Sequence, residues 1–273
     1  MRTRHGASER AARAFPVLLG GLLVSAAACD AEPGSADLRI SAYGEDFVED
    51  RIPAAEVIDG WEIEFERLLI AISSVEANGV ALDGAFVVDL TRPSDGEGHA
   101  LGVVTLPADD HPDLSFEVAP VDAAQAISAD ATDLEWMVER GLSVYAQGHA
   151  TRGDATLRFS WGFATRTRYE ECHGLAELES DPEPSTRLTM HADHLFYDDL
   201  DSEEPNVAFD LVAAADTNGD GNIEPDELRA LDITGQARYQ VGGREITDLW
   251  GFIEAQTTTL GHIDGEGHCE IGG

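Results

Sequence analysis

Lysine is absent from this 273-residue chain: all 17 basic residues are arginine, and they stand against 53 acidic ones, for a formal net charge of −36. Such a surface repels nucleic acid and anionic lipid headgroups and attracts cations. Nucleic acid is therefore no expected partner. Methionine and cysteine are scarce, three of each. An odd cysteine count in an exported chain leaves one thiol for another task. No apolar run reaches the roughly twenty residues that span a bilayer. The sequence holds no G-x-S-x-G elbow, no phosphate-cradling Gly loop ending in Lys, and no G-x-G-x-x-G after a strand. Paired carboxylates are so common here that they say nothing about glycoside hydrolysis. Hydrophobic residues still make up 43%, so this is a folding chain and not a disordered acidic tail.

What is present is concentrated at Asp216 to Glu227, DTNGDGNIEPDE. The stretch fits D-x-[DN]-x-[DN]-G-x5-E at every required position. Ca²⁺ is a hard cation that takes six to eight oxygens at about 2.3–2.6 Å. Asp216, Asn218 and Asp220 offer side-chain oxygens and Asn222 its backbone carbonyl. Glu224 binds directly or through water, and Glu227 closes the sphere with both carboxylate oxygens. Gly221 permits the sharp turn between. Ile223 is the apolar residue that ties such a loop to a neighbour, and Pro225 suits the first turn of an exit helix. Phe209, Leu211, Val212 and Ala215 offer an apolar side to an entry helix. Over these twelve residues the chain resembles the EF-hand family closely, and over about thirty loosely. The alternative is an Asp/Asn-rich turn between helices. No second loop matches, although EF-hands normally pair.

Residues 1–28 read as an export signal: Arg2, Arg4, Arg10 and Arg13, then the short apolar run PVLLGGLLVSAAA. The segment SAAAC before and including Cys29 resembles a bacterial lipobox, departing from it at Ala26, where that family most often has Leu. The resemblance implies that Cys29 carries lipid and begins the mature chain; a secreted protein with a free Cys29 is the alternative. Losing four Arg and one Glu with the signal brings the mature chain near −39. Cys172 and Cys269 then remain as one disulfide pair in an oxidising compartment, with independent thiols the other possibility. Asp30 after the cysteine leaves the choice of membrane open, periplasmic or cell-surface.

After a tether at 29–36, alternation begins. Trp61, Ile63 and Phe65 interleave with Glu62, Glu64 and Glu66, the pattern of a sheet with one wet face. LLIAISSV (68–75) and AFVVDL (85–90) are β-rich runs, with an Asn78-Gly79 turn signal between them. Runs at 101–106 and 114–118 continue the series. A short helix is expected over 132–140, with Thr132 and Glu135 as a capping box and Gly141 ending it. Segments 143–151 and 155–165 read as a hairpin, with Leu157, Phe159, Trp161 and Phe163 on one core face. Thr186 to Phe196 reads as a further strand, Ala237 to Val241 as a return to the sheet, and 247–260 as a helix packing where a second hand would be. The expected fold is α+β: a mainly antiparallel β-sandwich over 37–200, the EF-hand at 205–233, and a strand and helix at 234–273 closing back on the sandwich.

Five of the nine histidines lie late in the chain: His173, His191, His194, His262 and His268. His191 and Asp193 share a face if their segment is a strand, His191 and His194 if it is a helix. Neutral imidazoles with a carboxylate suit Zn²⁺ or Cu²⁺, although HADH lacks the Glu of a zincin motif; hydrogen-bonded histidines beside a disulfide are the alternative. The pentapeptide DGEGH occurs at both 95–99 and 264–268. Segments 190–200 and 259–269, with the hand, resemble uncharacterised Gram-negative lipoproteins carrying one EF-hand after a β-rich domain. The β-rich part is faintly similar to periplasmic copper-binding sandwiches of the methanobactin-partner type, but no ligand of that family can be placed here. The expected function is non-enzymatic: a membrane-tethered protein holding Ca²⁺ constitutively. A copper or zinc protein is the runner-up and a metallohydrolase comes third. Intact-mass analysis of membrane-derived protein is expected to show a chain starting at Cys29 with added acyl mass; a soluble chain cleaved elsewhere would refute the anchor.

Overall fold

The computed structural model describes residues 34–108, 111–173, 178, 181–265 and 267–272. The signal segment and Cys29 lie outside the described residues. In chain order, β1 (Ser35–Tyr43) is followed by one helical turn, α1 (Glu45–Glu49), and the long strand β2 (Glu62–Ala77). Next come β3 (Val80–Ala81), β4 (Phe86–Asp89), β5 (His99–Pro107), β6 (Asp113–Val118), β7 (Gln125–Ile127) and α2 (Ala131–Arg140). Then follow β8 (Val144–Arg152), β9 (Ala155–Phe163), β10 (Thr167–His173) and β11 (Ser185–Met190), ending in a 3-10 turn at Ala192–Phe196. The remainder holds α3 (Asp210–Ala213), β12 (Asn222–Ile223), α4 (Pro225–Ala230) and α5 (Leu249–Gln256). A 3-10 turn at Thr257–Thr259, β13 (Gly261–Ile263) and β14 (Glu270–Ile271) complete it. Pro33–Gly273 forms one compact unit.

The strands make the expected sandwich. One sheet runs β13-β11-β1-β5, and the other β12-β9-β8-β2-β6-β10-β14 with β3, β4 and β7 attached through β2 and β4. Most pairings are antiparallel; β1 with β11, β4 with β7 and β12 with β9 are parallel. A single main core draws Leu38 and Ile40 from one sheet, and Ile63, Phe65, Phe159 and Trp161 from the other. Strand β2 shows how its two sequence patterns arise. Its first half alternates because one face is wet, whereas Leu68 to Ile72 are all fully buried. There the second face is covered by a smaller core, in which Leu69, Ala71 and Tyr145 meet Met137 of α2. A strand buried on both sides reads as a continuous apolar run. Where β8 passes a bulge in β2 between Phe65 and Arg67, the opposing residue is Gly148; a Cβ there would stand 2.1 Å from the Glu64 carbonyl oxygen.

Four local expectations are corrected. Helix α2 is preceded by Asp130, and Thr132 forms no capping box; Gly141 does end it in the left-handed region, at φ 60°. The strand expected over 186–196 stops at Met190 and tightens into the 3-10 turn. Segment 237–241 joins neither sheet and contributes only a bridge between Asp199 and Gln240. The helix expected to enter the acidic loop is a four-residue turn, not a full helix, though Phe209, Val212 and Ala215 are buried as expected.

Cys172 on β10 and Cys269 before β14 form a disulfide across 97 residues of sequence. In the chain-entropy model a loop of that length constrains the unfolded chain by roughly 4–5 kcal/mol, less any native strain. Replacing both cysteines by serine is expected to lower unfolding stability by about 2–5 kcal/mol, read from the denaturant midpoint; an unchanged midpoint would show that the cross-link adds nothing.

Candidate metal centres

Two groups of side chains have ligand chemistry. The first is the acidic loop. Its backbone is wound around Asp216, whose carboxylate accepts the N–H groups of Gly219 (2.9 Å), Asp220 (3.1 Å) and Gly221 (3.1 Å). The Asn218 side-chain oxygen accepts from Asp220 N–H at 2.8 Å, and Asp220 accepts from Asn222 N–H at 2.8 Å. Gly219 and Gly221 take positive φ, at 72° and 78°. Glu227 accepts the Glu224 N–H at 3.1 Å through Oε2, while its Oε1 is buried and without a hydrogen-bond partner.

The loop's short strand β12, which in a paired hand would meet its counterpart, runs parallel to β9 instead, Ile223 opposite Phe159. Arg158 N–H donates to the Gly221 carbonyl at 2.8 Å, and the Trp161 indole N–H to the Ile223 carbonyl at 2.9 Å. The sandwich thus packs directly against the loop. Helix α5 packs on the exit helix α4, with the Arg229 guanidinium 4.7 Å from the Trp250 ring and Leu249 N–H bonded to the Leu231 carbonyl.

The second group gathers histidines. Strands β11 and β13 pair so that Thr189 faces His262, which brings His191, just past the strand end, beside His262; their ring centroids are 4.3 Å apart. The 3-10 turn stacks residues three apart, placing His194 5.4 Å from His191 and 5.3 Å from His262. Potential ligand atoms of His191, Asp193 and His194 all lie within 4.8 Å of one another, and all three residues are buried. This group could hold a metal ion. It forms the wall of a cleft of about 710 Å³, whose rim includes Glu45, Phe47, Ile58 and the exposed His268. His268 stands 5.7 Å from His262. The fifth histidine, His173, is exposed on β10 opposite Asp113 and shares no ring contact with the others among the described residues. Asp193 was legible only as a strand-face neighbour of His191; the 3-10 turn is what turns its carboxylate to both imidazoles.

The hydrogen bonds set the tautomers. The Gly265 carbonyl can only accept, so His191 Nε2, 3.1 Å away, donates to it. The Thr259 hydroxyl donates to the Gln256 carbonyl at 2.9 Å, so its oxygen accepts from His194 Nδ1–H at 2.9 Å, leaving the lone pair on Nε2. Tyr197 donates to Asp193 Oδ2 at 2.9 Å. Gly265 belongs to the second DGEGH segment, which therefore builds this site; in the first, His99 caps the Arg92 carbonyl.

Burial, and then the neighbouring His191, hold the His194 imidazole at about 3. His262 is also lowered to about 3, by burial first and next by His191, His194 and His268, against the pull of Asp193. Burial pushes the Asp193 carboxyl up, opposed by His191 and by the Tyr197 hydrogen bond. No family model matches the chain, and no curated protein or solved structure matches it either.

In the metal-free protein these shifts have a sign. Unfolded imidazoles protonate near 6.5, while folded His194 and His262 stay neutral to about 3. Between those values the unfolded chain binds more protons, so stability falls as pH falls. Asp193 works the other way, taking up its proton in the fold at a pH above its unfolded value of 3.8. Between pH 7 and 5, where ordinary carboxylates remain charged, the melting temperature in chelator is expected to fall, and to fall less in His194→Gln. Equal slopes for parent and variant would contradict the assignment.

Proposed function

We propose that this is an exported, lipid-anchored, non-enzymatic protein in which the loop Asp216–Glu227 holds Ca²⁺ constitutively. The observation that carries the reading is Glu227 Oε1, a buried carboxylate oxygen without a partner at the twelfth loop position. An unsatisfied buried acceptor costs free energy, and a cation at the loop centre removes that cost. Asp216, Asn218, Asp220, the Asn222 carbonyl and Glu224 would complete an all-oxygen set suited to a hard ion. The ion also offsets repulsion among four carboxylates in a chain of charge −36.

A structural role fits better than a signalling one. Signalling hands work in pairs and open a Met-rich groove. This loop is stitched to β9, and α3 and α4 are helices of only four and six residues that leave little to open. Extracytoplasmic sites bind with Kd of about 10⁻⁴–10⁻³ M; at about twenty times Kd, linkage contributes roughly 1.8 kcal/mol.

A second reading has its own observation, the buried group His191, Asp193 and His194. It makes the protein a copper- or zinc-binding one, since imidazole with carboxylate suits borderline ions and not Ca²⁺. The two sites use different ligand chemistry and do not compete.

Adding about 1 mM Ca²⁺ to chelated protein is expected to raise the melting temperature, and Glu227→Gln to abolish the rise. A parent that melts alike in chelator and in Ca²⁺ would sink the structural role. A full Ca²⁺ shift in the variant would move the site elsewhere.

A further inference from the structure

His262 Nδ1 is buried and has no hydrogen-bond partner. Its ring lies beside those of His191 and His194, each of which has one nitrogen hydrogen-bonded to a neighbouring oxygen and a second nitrogen beyond that bond. We propose that His262, through Nδ1, is the fourth ligand of a Zn²⁺-class ion held by His191 Nδ1, His194 Nε2 and Asp193, and that this closes the coordination sphere. The inference rests on the second reading above and goes beyond it by fixing the donor set.

The ring spacing is compatible with it, although His262 falls outside the group whose ligand atoms all lie within 4.8 Å of one another and must swing inward to bind. Around a tetrahedral ion with metal–nitrogen bonds of about 2.0–2.1 Å, imidazole centroids sit about 5 Å apart. The His194 pairs, at 5.4 and 5.3 Å, match, and the His191–His262 pair is tighter at 4.3 Å. Ligand atoms around such an ion are about 3.3 Å apart, so those of His191, Asp193 and His194, within 4.8 Å of each other, need side-chain rotations of about an ångström. Each of those three ligands already has an orienting partner: Gly265 for His191, Thr259 for His194, Tyr197 for Asp193. Ligand-orienting partners of this kind are a regular feature of metal sites.

The fourth ligand decides what the centre does. Two histidines and a carboxylate at the wall of a 710 Å³ cleft would leave a position for water, the arrangement of a catalytic zinc. With His262 bound, all four positions are filled by protein, the arrangement of a site that keeps its metal. The cleft then gives the ion a way in and His268, exposed beside His262, stays outside the set.

The test uses full-length protein with its loop saturated by Ca²⁺, so that added metal does not enter it. Titration with Co²⁺ is expected to produce the visible absorption of a tetrahedral ion, and Zn²⁺ to bleach it at one equivalent. His262→Gln is expected to weaken Zn²⁺ binding by on the order of a hundredfold or more and to shift the Co²⁺ bands toward higher coordination. His194→Gln serves as the control. If the parent binds neither ion, the second reading and this inference fall together. If His194→Gln loses the metal while His262→Gln keeps affinity and spectrum, the reading survives and the fourth ligand is wrong. Nitrogen-15 NMR of the unmutated protein reads the same point without a variant: Zn²⁺ must move the His262 Nδ1 resonance, and a resonance that stays put overturns the proposal.

Discussion

The two late strands and the short strand of the loop exist only because the sandwich receives them. Strands β12, β13 and β14 are two or three residues each and pair respectively with β9, β11 and β10. Strands this short do not hold together alone; a sheet must template them. The Cys172–Cys269 disulfide fixes one of these returns covalently. Both candidate metal-ligating groups depend on this closure. Ile223 sets the loop's height against Phe159 and Trp161, and His262 reaches His191 only because β13 lies on β11.

The same closure creates two unlike electrostatic environments in one acidic protein. The loop is largely open to water, where its carboxylates remain solvated. The histidine group is largely buried. Burial there lowers His194 and His262 and raises Asp193. The aromatic contacts of Phe196 with Trp161 and Phe159 lie between the two groups, so the turn bearing His194 and the strand bearing the loop share one packed interior.

Much of the local order was legible along the chain. The hairpin of β8 and β9, the apolar face of β9, the run 68–75 and the left-handed Gly141 all follow from nearest-neighbour patterns, because each is decided by residues two to four apart. The misreadings share a cause as well. Segment 186–196 begins with strand-like alternation, but its second half coils into a 3-10 turn whose Phe196 packs against Phe65 of the opposite sheet. Segment 237–241 has strand-like residues, but the sheet edges are taken by other strands, and it lies along Asp199 instead.

The sequence by itself determined the acidic character, the α+β sandwich, the two late cysteines available to pair and the order of oxygen-bearing residues in the twelve-residue loop. Each of these is local or arithmetical: a composition, a period, a count, or a spacing within one turn. Only the tertiary structure decided that the loop's partner is a sandwich strand, that four of five histidines converge while His173 does not, and that Asp193 joins them. Those facts rest on contacts between residues some seventy positions apart, and such contacts are set by which sheet edge is free when the chain returns.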